Sequence, residues 1–249
     1  MKNGILKIVV FISVLITILV NALANILPIN GYNTGEISDD ISIYFVPAGY
    51  VFAIWGLIYL ALMFYAVYTF FDYDKKDKEI APYVIVAGLA NISWIFLWHY
   101  KLISFSVIPM LILLGTLLII YLKTSGNNYS SLKRIPFQIY LGWISVASIA
   151  NIAGALYLSN WTAFNLKPEL WSAIMIGVAT ILGILMTNGK KDFIYPLVLI
   201  WAVVGIFVRF YETSDLVVGA STVSVLALLG NYISNIYNCR YRKEEKETK

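Results

Sequence analysis

The residues of this 249-residue chain best placed to do chemistry are aromatic rings and amides at helical spacing. Phe52, Trp55, Tyr59 and Met63 recur every three or four positions, and so do Asn91, Trp94 and Trp98. Tyr140, Trp143, Ala147, Asn151 and Gly154 form a third stripe of the same kind. Residues three and four apart share one face of a helix. Indole and phenol faces offer area to a flat apolar ligand, while an indole N–H or a carboxamide orients it through a few hydrogen bonds. The same residues also serve plain helix packing, in which small residues allow close approach and amides bond across the interface. Spacing alone leaves both readings open.

Chemistry that needs ions is poorly supplied. No Asp, Glu, Lys or Arg occurs in residues 8–35, 41–71, 80–100, 102–122, 135–166, 170–189, 193–208 or 216–239. These stretches therefore hold no carboxylate pair and no lysine base for acid–base catalysis. They also lack the ionisable group that proton- and ion-coupled transporters carry at mid-membrane. His99, the only histidine, sits between Trp98 and Tyr100 and reads as part of an interfacial aromatic belt. Its alternative use is as an axial ligand to an iron porphyrin. Cys239 stands alone and can form neither an internal disulfide nor a cysteine metal cluster. Glu36, Asp39 and Asp40 have no fixed coordination spacing and read as a solvated acidic loop. The expectation is a non-enzymatic protein with no metal site and no required cofactor.

The elements that must position these residues follow from the same uncharged stretches. A helix needs roughly 17–25 apolar residues to cross a bilayer, and nearly every stretch is long enough. With 60% hydrophobic and 13% charged residues, the chain cannot cover itself with a water-facing surface. In lipid each backbone N–H and C=O must pair within its own segment, which selects helices. A barrel would need polar and apolar residues in alternation, and runs such as Met110-Leu111-Ile112-Leu113-Leu114 do not alternate. The fold expected is an all-α membrane protein, a bundle of about eight helices near 6–27, 47–71, 81–100, 102–122, 135–158, 170–187, 193–210 and 216–238. Residues 28–46 form its longest loop and read as a lid. The segment 193–208 is the shortest, with Arg209 expected to snorkel to the interface. The residues from Arg240 to Lys249 read as a frayed charged tail.

The net charge of +4 is a topology signal rather than a sign of nucleic acid or another anionic partner. With eight crossings and the N-terminus in the cytoplasm, fifteen basic residues, Lys133 and Arg134 among them, fall inside. Only Lys101, Lys167 and Arg209 fall outside. That positive-inside bias puts a multi-pass protein in the cell membrane with both termini cytoplasmic. Lys2, Lys7 and the Ala22-Leu23-Ala24 triplet resemble a cleavable signal peptide. The uncharged run continues to Gly35, however, and its loss would leave seven crossings, so an uncleaved first helix is expected.

Three motifs resemble a known family. Pro47-Ala48-Gly49-Tyr50-Val51-Phe52-Ala53-Ile54-Trp55-Gly56-Leu57-Ile58-Tyr59 is similar to the start of helix two in the tryptophan-rich sensory proteins, which include the translocator proteins. Pro47, Trp55 and Tyr59 keep the family spacing, while Phe52 lies three rather than four residues before Trp55. Asn91-Ile92-Ser93-Trp94 with Phe96 and Trp98 resembles the helix-three motif. Tyr140 to Asn151 resembles the helix-five motif, with Ile139 where a proline often stands. The resemblance covers residues 1–158 as a five-helix core; residues 159–239 would then be a three-helix extension and 240–249 the tail.

The resemblance implies a pocket between helices for a porphyrin, a sterol or another flat hydrophobic molecule. By position its ligand contacts would be Trp55, Tyr59, Asn91, Trp94, Trp98, Tyr140, Trp143, Ala147 and Asn151, beneath the 28–46 loop. Porphyrin or haem would be a ligand rather than a cofactor. The reading reached is a membrane binding or sensory protein for such a ligand. Its alternatives are a transporter of the same ligand, a tetrapyrrole-modifying enzyme, and a structural bundle. The partners expected are the lipid bilayer and the small hydrophobic ligand; self-association stays open.

Overall fold

The computed structural model describes residues 2–27, 29–126, 129–161 and 166–247, with side chains described from Gly4 to Asn238 within those ranges. Cys239 and the charged tail fall outside the described side chains. Among the described residues the chain is helical and contains no strand. The helices are α1 (Lys2–Ile26), α2 (Thr34–Asp39), α3 (Ile54–Phe71), α4 (Lys75–His99), α5 (Ile103–Thr124), α6 (Ser131–Leu158), α7 (Pro168–Lys190), α8 (Tyr195–Phe210) and α9 (Asp215–Glu247). Seven of them are long and apolar enough to cross a membrane, α3 together with the 3-10 turn Gly49–Ala53 that leads into it. At 16 residues α8 is shorter than the roughly 20 that span a hydrocarbon core. The chain is thus an all-α, multi-pass membrane protein.

Helix α4 begins at Lys75, ahead of its uncharged stretch. At the start of α4, Asp74 Oδ1 accepts from the backbone N–H groups of Lys76 at 2.7 Å and Asp77 at 3.0 Å. Asp77 Oδ2 accepts in return from Asp74 N–H at 2.9 Å, completing a capping box. The charged run Lys75 to Glu79 is therefore helical, because caps satisfy the first-turn donors that an uncharged window ignores. The frayed tail expected after Arg240 is also corrected: the backbone of α9 continues helical to Glu247, in keeping with the helix propensity of Arg, Lys and Glu.

The chain divides into two units. The first comprises Met1–Ile43 and Gly49–Thr162. Its five long helices close a ring in which α1 packs on α4, α4 on α5, α5 on α6, α6 on α3 and α3 on α1. Close approach of α1 and α4 depends on Gly88, where a Cβ would lie 2.7 Å from Thr17 Oγ1 and 2.9 Å from Ser13 Oγ. At the end of the ring opposite α2, Lys133, counted from sequence among the inner charges between helices, is fully buried. Its Nζ reaches Asp77 Oδ2 at 2.7 Å, Asp74 Oδ2 at 3.1 Å and Asp72 Oδ2 at 3.2 Å, and donates to the Asp72 carbonyl at 2.9 Å. Tyr129 donates to the other Asp77 oxygen at 2.7 Å. One ammonium thereby ties the α3–α4 corner to the first turn of α6.

The second unit comprises Tyr44–Ala48 and Ala163–Lys249. Here α7, α8 and α9 pack on one another, with Gly183 at the closest approach: a Cβ there would meet Leu228 Cδ2 at 2.5 Å. The segment Tyr44–Ala48 is held by α8, since Ala48 N–H donates to the Gly205 carbonyl at 3.0 Å. The Arg209 guanidinium donates to the Pro47 carbonyl at 3.4 Å. Arg209, expected from sequence to snorkel to the interface, thus also pins this segment.

Candidate functional site

A polar ladder on α1 begins the site. Ser13, Thr17, Asn21 and Asn25 are spaced by four and so share one face. Asn21 Nδ2 donates to Asn91 Oδ1 on α4 at 2.6 Å, and Asn91 Nδ2 donates to the Tyr140 hydroxyl on α6 at 2.8 Å. All three residues are buried, so the amides find in one another the partners that lipid does not offer. One turn further along, Asn25 Oδ1 accepts from Thr34 N–H at 3.3 Å, which joins α1 to the lid.

The lid is ordered by its own sequence. Asn33 caps α2, accepting from Gly35 N–H and Glu36 N–H at 3.0 Å each, and Glu36 Oε2 accepts from Asn33 N–H at 2.8 Å. Glu36 is exposed, as the sequence suggested, and the capping box gives it a structural role as well. Asp40 pairs with Lys101 at 3.0 Å; the hydrogen bond to Asp40 holds the Lys101 ammonium above the ordinary lysine range. Trp98 Nε1 donates to the Thr34 carbonyl at 3.2 Å.

His99 is the latch of this lid. It is fully buried. Its Nδ1 lies 3.3 Å from the Ile29 carbonyl, an acceptor, so Nδ1 carries the proton. Its Nε2, 3.2 Å from Thr34 Oγ1, then accepts from that hydroxyl. With both ring nitrogens engaged, iron ligation by His99 would cost the lid its latch.

Behind the lid the aromatic residues stack into a continuous wall. Trp55 stacks on Tyr59 at 5.6 Å and on Trp94 at 5.9 Å, and Trp94 stacks on Trp98 at 5.5 Å. Tyr140 and Trp143 meet Trp55 edge-on at 6.0 and 6.1 Å, and Phe52 meets Trp143 edge-on at 5.7 Å. Each such pair adds about 0.5–1.5 kcal/mol beyond its buried area. Trp94 Nε1 donates to Asn151 Oδ1 at 3.1 Å, and Asn151 Nδ2 donates to Ser106 Oγ at 3.0 Å. Trp143 Nε1 is buried without a hydrogen-bond partner among the described residues.

A cavity of about 510 Å³ lies between α1, the lid and the start of α3. Asn21, Ala22, Asn25 and Ile26 line it from α1; Asn33, Thr34, Gly35, Glu36 and Asp39 from the lid; Gly49, Phe52, Trp55, Gly56 and Tyr59 from the start of α3. Of the residues proposed from sequence, Trp55 and Tyr59 face this space. Asn91, Trp94, Trp98, Tyr140, Trp143 and Asn151 lie in the packed layer behind, and Ala147, half-buried on α6, is also outside the lining. Sequence reasoning passed over Asn21 and Asn25. Their signal was present: four polar residues at intervals of four in an otherwise apolar helix.

The arrangement can hold a flat ring against Trp55 and Tyr59 and orient it through carboxamides. A family model described as TSPO-like protein matches residues 7–234. The matched range takes in α7, α8 and most of α9, beyond the three motifs quoted from the sequence. No curated protein and no solved structure matches the chain.

Proposed function

This chain belongs to the TSPO-like protein family, and on that premise we propose that its N-terminal unit is a membrane receptor for a flat hydrophobic ligand of the porphyrin or sterol-like class. The observation that carries the proposal is the cavity of about 510 Å³ walled by the Trp55–Tyr59 stack and roofed by α2. Ligand pockets of about 300–1,000 Å³ bury most of a molecule of that size. Ring faces on Trp55 and Tyr59 supply the apolar contact, while Asn21 and Asn25 supply hydrogen bonds that fix orientation. In this reading the ligand is held and not transformed. Porphyrin or haem is a ligand here, and no cofactor is needed.

Binding is favoured over passage by what lies beneath. Ile58, Leu62, Met110, Leu113, Leu117 and Phe137 are buried in the N-terminal unit. The amides of Asn91 and Asn151 are already bonded within it. The positive-inside charge distribution supports cytoplasmic termini, with the lid on the opposite side of the cell membrane.

The test is quenching of tryptophan fluorescence by protoporphyrin, with the full chain in neutral detergent. Saturable quenching is expected for the wild type, with affinity about tenfold weaker in Trp55→Ala/Tyr59→Ala, a loss of about 1.4 kcal/mol. Equal affinity in a folded double variant would remove the cavity from the site.

A further inference from the structure

The cavity is charged on one side only. Glu36 and Asp39 line it, and no Lys, Arg or His does. Lys101 pairs with Asp40 at 3.0 Å and lies 3.8 Å over the Tyr32 ring. A carboxylate brought into this space would face two like charges with no counter-charge in the lining. The other walls agree independently. The faces of Trp55 and Tyr59 carry the negative side of the aromatic quadrupole, which attracts cations and not anions. Asn21, whose carboxamide nitrogen is spent on Thr17 and Asn91, offers its oxygen as an acceptor for an N–H.

We infer that the cavity selects flat aromatic ligands bearing a positively charged nitrogen, an amine or amidinium, and discriminates against ligands of the same shape bearing carboxylates. This rests on the reading of the cavity as the ligand site and names the class of molecule it takes. The free propionates of an unmodified porphyrin are then a handicap, and the apolar macrocycle supplies its whole affinity. A ligand with its ring on Trp55 and its cationic end toward Glu36 and Asp39 satisfies both sides of the space at once.

The experiment uses three forms of one chromophore: protoporphyrin as the dicarboxylate, its neutral dimethyl ester, and a derivative whose two side chains end in primary amines. Each is titrated against the full chain in neutral detergent by tryptophan quenching. The expected order is amine tightest and dicarboxylate weakest, the two differing by about tenfold or more at low salt, with the ratio shrinking as salt is added. In Glu36→Gln/Asp39→Asn the ratio falls toward one while the ester is unaffected. Gln at position 36 retains the capping box of α2, so the lid keeps its fold. Equal affinities, or tighter binding of the dicarboxylate, overturn the charge preference and leave the cavity as the ligand site. Failure of all three to bind overturns the site and the preference together.

Discussion

Asn21 on α1 donates to Asn91 on α4 at 2.6 Å, and both residues are buried. Truncating either side leaves the other amide with an unmet hydrogen-bonding demand. Asn91→Ala should lower stability by about 1–2 kcal/mol, since it also strands Tyr140. Because the two amides share one bond, Asn21→Ala and Asn91→Ala should be non-additive when combined. Thermal unfolding in detergent of the two single variants and the double checks this; strictly additive losses would remove the coupling.

Lys133 carries a heavier load. Lys133→Met would leave three carboxylates converging on an empty centre, the buried Asp77 among them. Breaking a buried pair on one side costs about 3–5 kcal/mol. The loss should be partly recovered in Lys133→Met/Asp77→Asn, where one repelling charge is gone. A double variant no more stable than Lys133→Met would place the strain elsewhere.

Acid should act through the same corner. Burial pushes the Asp74 carboxyl upward, but the Asp77 backbone N–H and the Lys133 ammonium outweigh it and hold the group below its ordinary 3.8. A carboxyl whose folded value is depressed adds stability above the unfolded value. That stability is lost as pH falls through the folded value. Between about pH 5 and pH 3 the wild type should therefore lose stability more steeply than Asp74→Asn, whose amide still caps α4. Parallel melting-temperature profiles for the two proteins would count against this role.

The contact at Gly88 offers a steric check. Gly88→Ala should destabilise the N-terminal unit by about 1–3 kcal/mol, because the new methyl meets Thr17 Oγ1, itself held by a 2.8 Å bond to the Ser13 carbonyl. Gly115 has open space where a Cβ would go. Gly115→Ala should be neutral or stabilising by up to about 1 kcal/mol through helix propensity. The two melting temperatures, compared side by side, carry the prediction.

Particular residues mark where the sequence could be read and where it could not. Trp55 and Tyr59 were legible as a pair because residues four apart on a helix share a face wherever that helix packs. The start of α4 was not, because an uncharged window stops at Ile80 and cannot register a capping box built from Asp74 and Asp77. Lys133 read as a loop charge because its partners at 72, 74 and 77 are about sixty residues away in sequence. The partners of His99 could not be read for the same reason: Thr34 and Ile29 reach it only through the fold of the lid.

By itself the sequence determined that this chain is a set of helices in lipid, because a backbone without water must bond within its own segment and the length of an uncharged run is a local property. It also placed aromatic and amide residues on common helix faces. Only the tertiary structure decided what those faces meet. Trp94 and Trp143 pack into a wall and Asn91 bonds to its neighbours, while Trp55, Tyr59, Asn21 and Asn25 border the open space. That division depends on how each helix is rotated against its neighbours, which close contacts such as Gly88 on Thr17 set and spacing along one helix does not.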